Sequence, residues 1–158
     1  MSSRIPGWFF LVLAGAALAA MWPCGNGMIV SSDGVNYLST AENIVKHFSL
    51  RNSTSYVERI HPAGYSVALA PFILIGLTAL QAAFAVNWLS LVAIGLLSFL
   101  LLRELAGVDD WRIRLGAVLV MVNPATTSFA WQVLSETLFQ AEMLLMVLVF
   151  YKLSKEEA

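Results

Sequence analysis

Asp33, Arg59, His61, Glu136 and Glu142 are side chains of this sequence with reactive or ligand-binding chemistry, and each lies beside or within an apolar stretch. Asp33 belongs to Ser32-Asp33-Gly34-Val35-Asn36-Tyr37. Arg59 and His61 belong to Arg59-Ile60-His61-Pro62-Ala63-Gly64-Tyr65. The two pieces stand at either end of a long polar interval. A carboxylate there can act as general base for an acceptor hydroxyl, provided it is partly desolvated and aimed at the proton it removes. Arginine matches phosphate oxygens bidentately and a histidine can add a further hydrogen bond, so Arg59 and His61 are read as a clamp for the phosphate of a lipid headgroup. The plainer readings are an N-cap carboxylate at Asp33, contributing about 1 kcal/mol, and a snorkelling arginine with a loop histidine. Glu136 opens an apolar stretch, where a helix dipole would favour it. Glu142 lies inside that stretch, and an ionisable group there needs a cavity or a polar neighbour, for which Asn87 is a candidate. Ser135, Phe139 and Glu142 share a helix face, as do Gln132, Glu136 and Gln140. A divalent metal on His47, His61, Glu58 or Asp33 is a lesser alternative, because no i, i+4 histidine pair or CxxC supports it.

The elements that must position these residues are membrane helices. Of 158 residues, 59% are hydrophobic and 12% charged, with a mean hydropathy of +0.76. Soluble domains carry about 25% charged residues, so half that fraction in long uncharged blocks marks an integral membrane protein. A net charge of −1 gives no reason to expect nucleic acid. The single cysteine, Cys24, has no partner for an internal disulfide.

Arg4 precedes the apolar run Gly7–Met21, with Trp8 and Trp22 placed as interfacial anchors. A cleavable signal peptide is the alternative for this run, and the further apolar blocks favour an uncleaved span. Beyond the turn-rich Pro23–Asn26, Ser31, Ser32 and Asp33 are all good N-cap types. From Gly34 to Phe48, apolar residues at 35, 38, 41, 45 and 48 mark one face of a short amphipathic helix that lies in the interface. Asn52-Ser53-Thr54 matches a glycosylation sequon by pattern alone. Ala63–Ile75 is apolar, about a dozen residues long and interrupted by Pro71, which fits a re-entrant dip. Leu77–Leu102 is long enough to span with tilt, and its Gln81, Asn87 and Trp88 are expected to face protein. Arg103–Arg114 is a charged turn. An apolar helix over 115–122 ends at Pro124, Asn123–Gln132 reads as a polar break, and Ser135-Glu136 opens a last helix to Tyr151 with Lys152 and Lys155 beyond it.

The expected architecture is all-α: a polytopic transmembrane bundle of four to five spans with a long external first loop carrying the interfacial helix. One module covers 1–158, divided into a first span (1–22), an external loop (23–62, helix 34–48) and further membrane helices (63–153). The positive-inside bias puts Arg4, the Arg103–Arg114 turn and Lys152–Lys155 in the cytoplasm, and the long loop and the 123–136 break outside. Four spans close this arrangement; a fifth, with Ala63–Ile75 crossing, puts one basic cluster on the wrong side.

Asp33 followed by Tyr37, then His61-Pro62-x-x-Tyr65, resembles the first external loop of GT-C glycosyltransferases. Asn123-Pro124 and Leu134-Ser135-Glu136-Thr137-Leu138-Phe139 resemble the Asn/Ser-Pro break and Ser-Glu-Pro-Leu-Phe motif of the same group. The nearest patterns are those of the dolichyl-phosphate-mannose protein mannosyltransferases and the bacterial aminoarabinose transferases of the cell envelope. The resemblance implies an inverting transfer from a polyprenyl-phosphate-linked sugar to a lipid or protein hydroxyl, on the external or lumenal face of a plasma (inner) or endoplasmic-reticulum membrane. It implies Asp33 as the base; Arg59 and His61 are read as the donor-phosphate site and Tyr37, Tyr65 and Glu136 as the substrate pocket, with no cofactor assigned and a divalent metal left open. Gly34 stands where many relatives have a second acid, Thr137 where a proline is usual, and Ser66 where a proline or bulky residue is usual. Relatives also have many more spans, so the chain resembles their N-terminal third. The alternative functions are a non-catalytic membrane subunit, or a transporter component with Glu142 as its coupling carboxylate.

Overall fold

The computed structural model describes residues 5–23, 27–51 and 63–156. Cys24, the sequon, Glu58, Arg59 and His61 lie outside the described residues. Seven helices follow one another among the described residues: α1 (Gly7–Met21), α2 (Ser32–His47), α3 (Gly64–Leu74), α4 (Ala79–Ala106), α5 (Trp111–Met121), α6 (Pro124–Ala130) and α7 (Glu136–Glu156). The extended pairing among them is an isolated parallel bridge between Ile29 and Gln132.

Among the described residues, two helices are long and apolar enough to cross a membrane, α4 and α7, and a third span is added if α5 and α6, bent by 49° at their junction, count as one. Four to five spans are more than these lengths give. At 1.5 Å per residue, α1 extends about 22 Å and α3 about 16 Å, against a hydrocarbon core of about 30 Å.

α4 touches all six other helices. Its buried face is built largely from small residues, among them Ala82, Ala83, Ser90, Gly95 and Ser98, which let neighbouring backbones approach. The approach is closest at Gly95, where an added Cβ would lie 2.7 Å from Leu13 Cδ2 and 3.0 Å from Met121 Sδ. α1 presents Phe9, Leu13, Ala17 and Met21, one residue every fourth, to this core. Thr78 caps α4 through a reciprocal box with Gln81, so Gln81 serves the helix end and stays exposed, where burial against protein was expected. Asn87 is fully buried, and Trp88 donates to the Ala14 carbonyl at 3.3 Å, as their polarity within a span requires.

Four expectations about local structure change. α2 begins at Ser32, and its N-cap is Ser31, whose Oγ accepts from Gly34 N at 3.1 Å; Asp33 sits in the first turn instead. The buried face of α2 is Gly34, Tyr37, Thr40 and Ala41, rotated from the stripe through Val35 and Phe48, which are 50% and 96% exposed. Small residues at 34 and 41 allow close packing on that side, and the large apolar ones are left facing out. The expected break over 123–132 is mostly helix: Asn123 caps Ala125 N at 2.9 Å, and Pro124 occupies the first helical position, where its missing N–H costs nothing. α7 continues through Lys152 and Lys155, so these lysines belong to its last turns.

The bundle has two chemically distinct ends. At one, the Arg114 guanidinium is paired with Asp109 at 2.6 Å and stacked 5.4 Å from the Trp8 ring, and Lys155 lies within electrostatic reach of Glu104. The start of α1, the α4–α5 turn and the end of α7 therefore share this charged end. At the other, Trp131 Nε1 donates to the Ala20 carbonyl at 2.7 Å, and Ile29 exchanges backbone bonds with Trp131 and Val133 at 3.0 and 2.9 Å. The end of α1, the starts of α2, α3 and α4, and the α6–α7 junction meet here.

Candidate functional site

The α6–α7 junction is held by residues from three other elements. Asn87 of α4 donates from Nδ2 to the carbonyls of Ala130 and Gln132, at 3.1 and 2.8 Å, and its Oδ1 accepts from the Tyr65 hydroxyl at 2.9 Å. Both amide protons are thus spent on backbone carbonyls at the end of α6 and the amide oxygen on the Tyr65 hydroxyl, three of the four positions a buried amide offers. Tyr65 packs edge-on against Tyr37, with ring centroids 5.2 Å apart. The Tyr37 hydroxyl shares a hydrogen bond of 3.2 Å with Ser135 Oγ, and Ser66 Oγ donates to the Tyr37 carbonyl at 3.0 Å. Burial, followed by the neighbouring Tyr37, pushes the Tyr65 phenol well above its ordinary range; the Asn87 bond acts against this and Glu136 adds to it. Tyr65, at the head of the short α3 and outside the two spanning helices, therefore remains a neutral donor.

This frame walls a cleft of about 230 Å³. Gly64 and Tyr65 form one side; Ser135, Glu136, Leu138, Phe139 and Glu142 of the junction and α7 form the other. Glu136 is half-buried, and its Oε2 is out of solvent with no hydrogen-bond partner among the described residues. Glu142 is exposed on the same rim. It does not meet Asn87, whose amide is committed to Tyr65 and the junction carbonyls; the cavity is what Glu142 faces. Among the described residues the lining contains two carboxylates, two aromatic rings and two hydroxyls, and no basic side chain. Carboxylates accept hydrogen bonds from ligand hydroxyls and aromatic faces cover the apolar side of a ring. A phosphate placed directly between Glu136 and Glu142 would meet like charge.

The sequence-derived residues divide as follows. Tyr65 and Glu136 line the cleft. Tyr37 is buried behind it and positions Ser135. Asp33 lies one helical turn before Tyr37 on α2, half-buried, with Ser32 Oγ donating to its Oδ1 at 3.3 Å. Arg59 and His61 lie outside the described residues. Among the described residues, no three His, Cys, Asp or Glu side chains gather as metal ligands. The position of Gly34 acquires a physical reason: a Cβ there would stand 2.9 Å from the Val133 carbonyl oxygen and 3.1 Å from Val133 Cβ. A second acid beside Asp33 has no room in this chain. Thr137, at the position where proline is usual, is fully buried and its hydroxyl has no partner.

Asn87 and Trp131 are the residues that sequence reading undervalued. Their chemistry is donation to backbone carbonyls more than 40 residues away, and nothing local in the sequence marks those carbonyls as unpaired.

No family model matches the chain, no curated protein is significantly similar to it, and no solved structure matches it.

Proposed function

We propose that this chain is a membrane-embedded glycosyltransferase, or the N-terminal module of one, that moves a sugar from a polyprenyl-phosphate donor to a hydroxyl on the external side of the membrane. The observation that carries the reading is convergence. Tyr37, Tyr65 and Ser135-Glu136 come from three separate motifs, with Tyr37 and Ser135 98 residues apart, and they meet around one cleft. That cleft lies at the end of the bundle opposite the Arg114 and Lys155 cluster, which the positive-inside bias assigns to the cytoplasm. In this reading the cleft receives the hydroxylated ring, with Glu136 and Ser135 binding hydroxyls. Asp33, one turn above Tyr37, takes the acceptor proton, and the donor phosphate stays outside the acidic lining.

The test measures release of free polyprenyl phosphate from a panel of polyprenyl-phosphate hexoses and pentoses, in membranes containing the full-length protein. This readout does not depend on knowing the acceptor. Turnover of one donor that falls in Asp33→Asn and in Glu136→Gln supports the reading. Turnover no greater in wild type than in Asp33→Asn, for every donor, refutes it.

A further inference from the structure

Glu142 does not fit the surface it stands on. α7 buries Thr137, Ala141 and Leu148 against its neighbours, packs Leu138 at the edge of that contact, and leaves Phe139, Met146, Val149 and Leu153 exposed. Only 17% of its apolar window is buried, against 44% for α4. Lipid covers such a surface readily wherever it is apolar. Glu142, however, lies about 9 Å below the start of the helix at 1.5 Å per residue. An ionised group at that depth is costly in hydrocarbon, and such groups face protein or a polar cavity and pair with one another. No described residue is hydrogen-bonded or ion-paired to it.

The residues around Glu142 define a seam. Phe139, Glu142, Met146, Val149 and Leu153 follow at alternating steps of three and four, and the four apolar members are 57, 50, 46 and 51% exposed. This heptad spacing keeps one line of side chains turned toward a neighbouring helix, and one polar residue within it selects register and partner. We propose that the seam docks a second membrane-spanning helix carrying a lysine or arginine at the depth of Glu142. Charge decides the occupant. A parallel copy of α7 would place Glu142 against Glu142 beside the Glu136 carboxylate, concentrating like charge in a cleft whose described lining has no basic residue. A wholly apolar helix would leave Glu142 unpaired. The proposal rests on α7 crossing a bilayer and is independent of glycosyl transfer.

The experiment reconstitutes the protein, fluorescently labelled, in lipid vesicles with leucine-rich spanning peptides of 21 residues, and reads energy transfer. One peptide carries a single lysine at its seventh position, one is leucine throughout, and one carries glutamate there. The lysine peptide should bind wild type about tenfold more tightly than the other two, as expected for an interhelical charge-assisted bond. The preference should vanish in Glu142→Gln and persist in Glu136→Gln, with helicity by circular dichroism unchanged in both. Equal binding of the lysine and leucine peptides overturns the proposal, as does a preference that survives in Glu142→Gln. Energy transfer between differently labelled copies of the protein, undiminished by the lysine peptide and lost in Glu142→Gln, would assign the seam to self-association instead.

Discussion

Asp33 has a structural role in α2 and, in the proposed function, a chemical one, and the location of the cap separates them. Ser31 is the N-cap of α2, so Asp33 contributes to helix stability only through the first-turn dipole. Ser31→Ala should lower stability by about 1 kcal/mol. Asp33→Asn should leave the melting temperature nearly unchanged and lower transfer by about 10²–10⁴-fold, the usual contribution of a general base. Normal transfer in Asp33→Asn at normal stability would remove Asp33 from the chemistry. Asn87 is the opposite case, a residue whose loss is structural. Asn87→Leu strips two junction carbonyls and the Tyr65 hydroxyl of their partner, each unpaired buried group costing about 1–3 kcal/mol. Tyr65→Phe leaves one acceptor short. Melting of the two variants in detergent should therefore rank Asn87→Leu well below Tyr65→Phe, and equal values would contradict the bonding described. At this scale the sequence was legible where chemistry is local: the polarity of Asn87 within an apolar run announced a protein-facing residue. Its partners were not legible, because two of them are backbone carbonyls left without helical partners where α6 ends and the chain crosses to α7.

Helix packing here depends on where glycine is used, and two glycines make the point by contrast. A methyl at Gly95 meets the ends of the Leu13 and Met121 side chains at 2.7 and 3.0 Å. Both are flexible and can move. A methyl at Gly34 meets the Val133 carbonyl at 2.9 Å, and that backbone is pinned to Ile29. Gly34→Ala should therefore be the more destabilising by about 1–2 kcal/mol, although its nominal clash is longer. Thermal melting of the two single variants checks this, and the reverse order would show that the α6–α7 junction yields more easily than side chains in the core. Helices themselves were read well from the sequence, since α4 and α7 are long, apolar and uninterrupted. The buried face of α2 was legible only in part: the apolar stripe shares Ala41 with it, but the stripe's ends at Val35 and Phe48 are exposed while Gly34, Tyr37 and Thr40 are buried. Closeness of approach outweighed side-chain hydrophobicity, and a periodicity argument cannot see that.

Across the whole molecule, charge is distributed along one axis. Arg114, Lys155 and their neighbours collect at one end, and the cleft opens at the other. In a Cys24→Ser background, cysteines introduced at the exposed Ser32 and Lys155 should react from opposite sides of the membrane, Ser32→Cys with an impermeant maleimide in intact cells and Lys155→Cys only after permeabilisation. Labelling of both from one side would require a different threading of α4 and α7. The bipolar pattern was readable from basic clusters at 103–114 and 152–155, whereas the number of crossings was not, because α1 is apolar throughout and reads as a span although its helix has only 15 residues.

The bond between Tyr37 and Ser135 also has a consequence in time. Its two ends are 98 residues apart. At a synthesis rate of about 5–20 residues per second, roughly 5–20 s separate their emergence. During that interval α1 and α2 have left the ribosome while the strand-like pairing of Ile29 and the partner of Tyr37 do not yet exist. The first third of the chain must wait in the translocation machinery or at the bilayer surface with those groups unsatisfied. Ribosome-bound chains stalled before residue 130 should be cut by protease within 27–37, and chains stalled with residue 140 already emerged should resist, so assembly of the cleft is an event of late translation.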